Sequence, residues 1–120
     1  MDALRTLIPL ALLFFLIDLP YLYTVGPWAQ SLFKVVQGGA PFQLRWSAAL
    51  PVYLALAYLV SLSKSTVEAA AIGAATYAVY DFTNYATLTK YDINFAIVDT
   101  IWGGTLFALV RIVAERLNLL

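Results

Sequence analysis

TLIPLALLFFLIDLPYLYTV, residues 6–25, decides the fold class of this chain. Asp18 is the one charged side chain in this segment, and about 20 mostly apolar residues are what a helix needs to cross a bilayer. Three further windows have a similar apolar character, at residues 46–62, 67–88 and 93–113. The sequence therefore predicts four transmembrane helices.

The composition supports the same class. Hydrophobic residues make up 62% of the 120 positions and charged residues 12%, about half the ~25% charge of an ordinary soluble domain. A small domain has too little interior to hide so much apolar surface from water. We therefore expect an all-α integral membrane bundle that forms a single transmembrane domain over residues 1–120.

The one long connection lies between the first and second spans. Gly26 and Pro27 predict the end of the first helix, because proline lacks an amide donor and restricts the residue before it. Residues 28–37 then follow an amphipathic pattern closed by Gly38 and Gly39. This pattern predicts a short interfacial helix in the membrane plane. The alternative is a cap over the mouth of the bundle.

The termini are expected on the same side of the membrane, because the number of spans is even. The first window is not expected to be a signal peptide, because it contains the charged residue Asp18 and lacks a small-residue cleavage motif. Basic residues on the side of the termini outnumber those on the other side, at Arg5, Lys64, Arg111 and Arg116 against Lys34, Arg45 and Lys90. This bias predicts cytoplasmic termini.

Several residue types are absent, and their absence limits the chemistry. The chain has no Cys and no His, so it lacks thiol nucleophiles and the commonest general base and metal ligand. The net charge is zero and no basic run is present, which argues against nucleic-acid binding. We expect no cofactor and no metal site, and the sequence leans against catalysis.

Three carboxylates interrupt the apolar windows. A charge at the centre of a bilayer costs at least about 2.5–3.5 kcal/mol, so Asp18, Asp81 and Asp99 should face the bundle interior and find a partner or a proton. Their positions in antiparallel spans predict one shared layer, about 10 Å from one end of the bundle. Asn84 lies one turn from Asp81 and is expected to donate to it, and Trp102 can donate its indole N–H.

Other polar side chains are expected to support this cluster. Tyr77 and Tyr80 share the helix face of Asp81, and Thr83 and Thr87 flank it, where their hydroxyls can bond to their own helix. Two interpretations remain open for the set. It is either a buried proton or cation site at Asp18, Asp81, Asn84 and Asp99, or a set of interhelical hydrogen bonds that holds the bundle together. A further alternative places Asp81 or Asp99 near the membrane interface, where water would solvate it.

The remaining patterns have structural explanations. An aromatic belt at the headgroup level accounts for tyrosine and tryptophan residues near one end of the bundle, namely Tyr21, Tyr23, Trp28, Tyr85 and Tyr91. Small residues recur every four positions in the third and fourth spans and predict close helix packing, at Ala70, Ala74 and Ala78 and at Thr100, Gly104 and Ala108.

The polar motifs of the last two spans resemble a known family. Residues 80–88 (YDFTNYATL) and 98–104 (VDTIWGG) are similar to the YDLTN-x-ATL and VD-x-x-WG motifs of the small predicted membrane proteins catalogued as domain of unknown function 2177. Phe82 and Tyr85 each replace a usual Leu. The resemblance implies four spans and signature residues at Asp18, Asp81, Thr83, Asn84, Thr87, Asp99 and Trp102. It implies no activity.

Three functions compete. The leading one is a non-enzymatic membrane component or subunit, whose partners are the lipid bilayer and either further copies of this chain or other membrane proteins. The second is a small transporter that couples protons or cations through the intramembrane acids. The third is a lipid-modifying enzyme or accessory, which would depend on carboxylates and tyrosine hydroxyls for acid–base chemistry.

Overall fold

The fold consists of four helices in the computed structural model, which describes residues 3–120, with side chains from residue 5 onward. The helices are α1 (Ala3–Val36), α2 (Ala49–Ser61), α3 (Thr66–Thr87) and α4 (Ile93–Arg116), and a single 3-10 turn, Trp46–Ala48, leads into α2. Helix α4 contacts each of the other three helices. The expectation of an all-α bundle is confirmed.

The predicted break at Gly26 and Pro27 is wrong. Helix α1 continues through both residues to Val36, so residues 28–36 are the second part of one long helix and not a separate interfacial helix. Two residues beyond its end, Gly38 and Gly39 turn the chain away, with φ angles of +70° and +92° in the left-handed region that glycine adopts without strain.

Packing explains why α1 continues past Pro27. The ring of Trp28 lies edge-on to Phe95 at 5.2 Å between centroids, and that of Phe33 lies edge-on to Tyr91 at 5.9 Å. Together with buried Leu32 these rings form a second, smaller core under the end of α1. These apolar contacts favour the continuation of the helix past Pro27, which removes one backbone donor. The second part of α1 thus covers the α3–α4 turn, as the alternative of a cap requires.

The main core is formed by side chains from all four helices. Phe14 and Phe107 are fully buried at its centre, with their rings edge to face at 5.0 Å. Helices α3 and α4 approach more closely than ordinary side chains permit. A Cβ atom on Gly73 would overlap the carbonyl oxygen of Gly103, and one on Gly104 would lie 3.3 Å from Cβ of Ala74. The small residues therefore allow close packing, as their spacing predicts.

Short polar turns join the last three helices. The Ser65 hydroxyl caps α3 by accepting from the backbone N–H of Glu68 at 3.1 Å. Arg111 on α4 reaches across to this turn, where it donates to the carbonyl and, at 3.0 Å, to the hydroxyl of buried Ser63. It also pairs with Glu115 at 2.7 Å, so Arg111 does more than form a solvated helix end.

The outer surface of the bundle is apolar. Among the described residues, two helices are both long and apolar enough to cross a membrane, within Arg5–Val36 and Ile93–Arg116, and the apolar segment Trp46–Ser61 is shorter. Large apolar side chains point outward from every helix, including Leu12, Leu50, Val79 and Ile101, each more than half exposed. A monomeric soluble protein rarely shows apolar patches on this scale.

Candidate functional site

Asp18 receives hydrogen bonds from two other helices. The Tyr53 hydroxyl on α2 donates to Oδ2 at 2.7 Å, and the Trp102 indole Nε1–H on α4 donates to Oδ1 at 2.8 Å. The carboxyl is 6% exposed, so these donors replace water as its solvating groups. The expectation that the indole N–H of Trp102 finds an acceptor is confirmed, and that acceptor lies on α1.

Tyr21 connects Asp18 to Asp99. Its ring stacks on the indole of Trp102, with centroids 4.8 Å apart and an interplanar angle of 3°. Its hydroxyl donates to Oδ1 of Asp99 at 2.7 Å. Since Tyr21 lies one turn beyond Asp18 on α1, a single helix face supplies both a carboxylate acceptor and a hydroxyl donor to α4.

Asp81 is the most deeply buried of the three carboxyls, with 0% of its surface exposed. The Tyr91 hydroxyl, from the α3–α4 turn, donates to its Oδ1 at 2.9 Å. Burial, together with the bond to Asp81, raises the pKa of Tyr91, which therefore stays protonated as a donor. Asp81 is also adjacent to the carboxyl of Asp99 on α4.

These contacts form what we call the carboxyl network, which consists of Asp18, Asp81 and Asp99 with their donors Tyr21, Tyr53, Tyr91 and Trp102. It draws on all four helices. The donors are neutral phenol and indole groups, so they solvate the carboxyls without cancelling their charge. Within the described residues, no cluster of three carboxylates that could hold a metal ion occurs. The acids are arranged as linked sites and not as a cage around one point.

Asn84 does not donate to Asp81 as expected. The Tyr91 hydroxyl donates to Asp81, and the Asn84 amide lies beside the hydroxyls of Tyr80 and Tyr91 instead. One turn of helix places the amide on the right face, but the hydroxyl of Tyr91 reaches the carboxylate directly. Asn84 therefore contacts the network through a tyrosine.

The two threonines lie outside the network. Thr83 and Thr87 are exposed on the outer surface of α3. The Thr87 hydroxyl donates to the carbonyl of Thr83 at 2.9 Å, which is the bond within one helix that its residue type favours.

The predicted tyrosines Tyr77 and Tyr80 line a cleft of about 370 Å³ on the side of the bundle. Val52 and Leu56 of α2 form its apolar wall, and the side chain of Asp99 forms part of its polar wall. Tyr77 lies against Gly103, where an added Cβ would come 2.6 Å from Cβ of the tyrosine. The cleft therefore gives the carboxyl network access to the outer surface at Asp99.

Sequence reasoning missed the three tyrosines that solvate the acids. Tyr21 and Tyr91 fit an aromatic belt, but the structure directs their hydroxyls inward, whereas Tyr23 and Tyr85 remain exposed. No role was predicted for Tyr53. A signal was available for Tyr53, because a phenol inside an apolar span usually seeks a partner for its hydroxyl.

Comparison with known proteins adds one finding. A family model described as "Predicted membrane protein (DUF2177)" matches residues 3–115. No curated protein and no solved structure shows significant similarity to the chain.

Proposed function

The chain belongs to the DUF2177 family of predicted membrane proteins, and from this premise we propose that it is a multi-pass membrane component without independent catalysis, whose helices are held together by the carboxyl network. The single observation that carries the proposal is the position of Asp18. It accepts hydrogen bonds from α2 and α4 at once, at 2.7 and 2.8 Å. Such bonds stabilise helix association in lipid.

Four spans are part of the proposal. Helices α2 and α3 pack beside α1 and α4, and both expose apolar side chains such as Leu50, Val67 and Val79 on their outer faces. Exposure of these apolar faces to water would be unfavourable, whereas contact with lipid tails would not. An even number of spans puts both termini on one side, and the excess of basic residues there favours the cytoplasm.

The topology can be tested by labelling, because the chain contains no Cys. We expect Lys90→Cys, in the α3–α4 turn, to react with a membrane-impermeant maleimide in intact cells. We expect Lys64→Cys, in the α2–α3 turn, to react only after the membrane is permeabilised. Labelling of both positions in intact cells would contradict four spans with cytoplasmic termini.

The structural role of Asp18 is tested by a double-mutant cycle in detergent. Tyr53→Phe and Asp18→Ala each remove one partner of the same bond, so their effects on unfolding should be non-additive by about 0.6 kcal/mol, and at most about 1.7 kcal/mol. Tyr58→Phe is the matched control, since Tyr58 lies on the same helix and is 55% exposed. Its effect should add to that of Asp18→Ala. Additivity for Tyr53 as well would refute the role.

The residue types of the network support a role without catalysis. Its members offer carboxyl, phenol and indole groups, and the chain has neither His nor Cys to serve as base or nucleophile. Its partners are the lipid bilayer and, through the apolar outer faces, further copies of the chain or other membrane helices. A lipid-modifying activity has the least support.

A second candidate function is a small carrier that couples protons to cations. The observation that favours it is the cleft of about 370 Å³, which reaches the network at Asp99. In liposomes containing the protein and an internal pH indicator, an inward gradient of tetraethylammonium should drive protons out. Asp99→Asn should abolish this flux, and an unchanged internal pH with wild-type protein would contradict the carrier.

A further inference from the structure

Two hydrogen-bond acceptors face each other at Asp81 and Asp99. Asp81 Oδ1 accepts from Tyr91, but within the described part of the chain no donor reaches Asp81 Oδ2, which is fully buried. The group adjacent to Asp81 is the carboxyl of Asp99, which in its ionised form can only accept. Neither carboxylate can therefore donate a hydrogen bond to the other unless one of them is protonated.

Two ionised carboxylates in this position would be strongly unfavourable. They repel each other where the surroundings screen charge poorly, and the unpartnered oxygen loses its hydration without compensation. A single proton removes both problems, because one carboxyl then donates to the other and the pair carries one negative charge instead of two.

The surrounding groups do not offer another source of neutralisation. Among the described residues, the titratable side chains that interact with the pair are all acids or phenols: Asp18 and Tyr21 of α1, Tyr77 and Tyr80 of α3, and Tyr91 of the α3–α4 turn. Tyr53 of α2 bonds to Asp18 and not to the pair. Phenols donate hydrogen bonds but bring no positive charge. The positive charge that neutralises the pair must therefore come from a cation or a proton.

The cleft at Asp99 has the chemistry of a site for a small organic cation. Its volume of about 370 Å³ lies in the range of small-molecule sites. Tyr77 and Tyr80 provide aromatic rings that attract cations, Val52 and Leu56 provide apolar contact, and Asp99 provides the negative charge. An inorganic ion would leave the apolar wall unused.

We propose that Asp81 and Asp99 hold one proton between their carboxyl groups, and that a small organic cation entering the cleft at Asp99 replaces it. The proton leaves to water as the cation binds, so both carboxylates become ionised while the net charge of the site stays constant. No covalent bond other than O–H breaks. The exchange rests on the carrier function, the second candidate above.

The proton is tested by infrared spectroscopy of the purified protein at neutral pH. A protonated carboxyl shows a C=O band that carboxylates lack, and we expect this band in wild type and in Asp92→Asn, which changes the cap of α4. It should be lost in Asp81→Asn and Asp99→Asn, whose amides can donate in place of the proton. Absence of the band from wild type, or its loss in Asp18→Asn instead, would overturn the proposal.

The exchange is tested by titrating tetraethylammonium into the protein in buffers of different ionisation heat. Wild type should release about one proton for each cation bound. Asp81→Asn should bind the cation without proton release, and Asp99→Asn should bind it at least tenfold more weakly. Absence of binding to wild type, a heat independent of buffer, or equal proton release by sodium would each overturn the exchange.

These tests separate the failure of this site from failure of the carrier function. Proton release on cation binding with no flux in liposomes would keep the site and reject the carrier. Flux that persists in Asp81→Asn with the same coupling to protons would keep the carrier and reject the shared proton.

Discussion

The contact between α3 and α4 allows a graded test of how the bundle is packed. A Cβ atom added to Gly73 would overlap the Gly103 carbonyl oxygen and lie 2.6 Å from Cγ of Phe107, about 1 Å closer than optimal contact. Neither neighbour can yield easily. One is the backbone of α4, and the other is a fully buried ring held edge to face against Phe14.

Gly73→Ala should therefore force the two helices apart. Overpacking of this kind costs about 1–3 kcal/mol, and the gain in helix propensity from alanine returns only about 0.5–1 kcal/mol. We expect a net loss on the order of 1–2 kcal/mol. Gly104→Ala should cost less, since its nearest neighbours lie at 3.2 and 3.3 Å and need to move only a few tenths of an ångström.

Gly26→Ala is the matched control. Gly26 is also within a helix, but nothing lies within 4 Å of an added Cβ atom there. This variant should gain about 0.5–1 kcal/mol. Unfolding in mixed micelles with rising SDS, followed by tryptophan fluorescence, measures all three variants. A Gly73→Ala protein as stable as the Gly26→Ala protein would refute the close contact between α3 and α4.

Two further predictions concern polar contacts. Tyr91→Phe should lower the free energy of unfolding by about 1–3 kcal/mol, because the buried carboxyl of Asp81 loses the hydroxyl that donates to it; an unchanged SDS midpoint would contradict this contact. Arg111→Ala should cost about 1–3 kcal/mol through its bonds to Ser63, whereas Glu115→Ala, which breaks only an exposed pair, should cost at most about 1 kcal/mol. Equal losses in these two variants, measured by the same titration, would show that the contact with Ser63 contributes nothing.

The sequence alone determined the class of the fold, because hydrophobicity and charge are properties of composition and do not depend on contacts. Its small-residue spacing also predicted the close approach of α3 and α4, since backbone contact requires the absence of side chains at regular positions. The layer shared by Asp18, Asp81 and Asp99 followed from helix length and antiparallel order. The structure brings these residues into one network.

Only the tertiary structure decided the continuity of α1 and the partners of each acid. Gly26 and Pro27 are local signals for a helix end, but the packing of residues 28–36 over the α3–α4 turn outweighs them. The donor Tyr53 lies on α2 and the donor Tyr91 lies in the α3–α4 turn. A tyrosine at the end of a span has the same local sequence whether its hydroxyl faces lipid headgroups or a carboxyl group. The direction in which a tyrosine hydroxyl points depends on the positions of the neighbouring helices. A local sequence pattern does not contain this information.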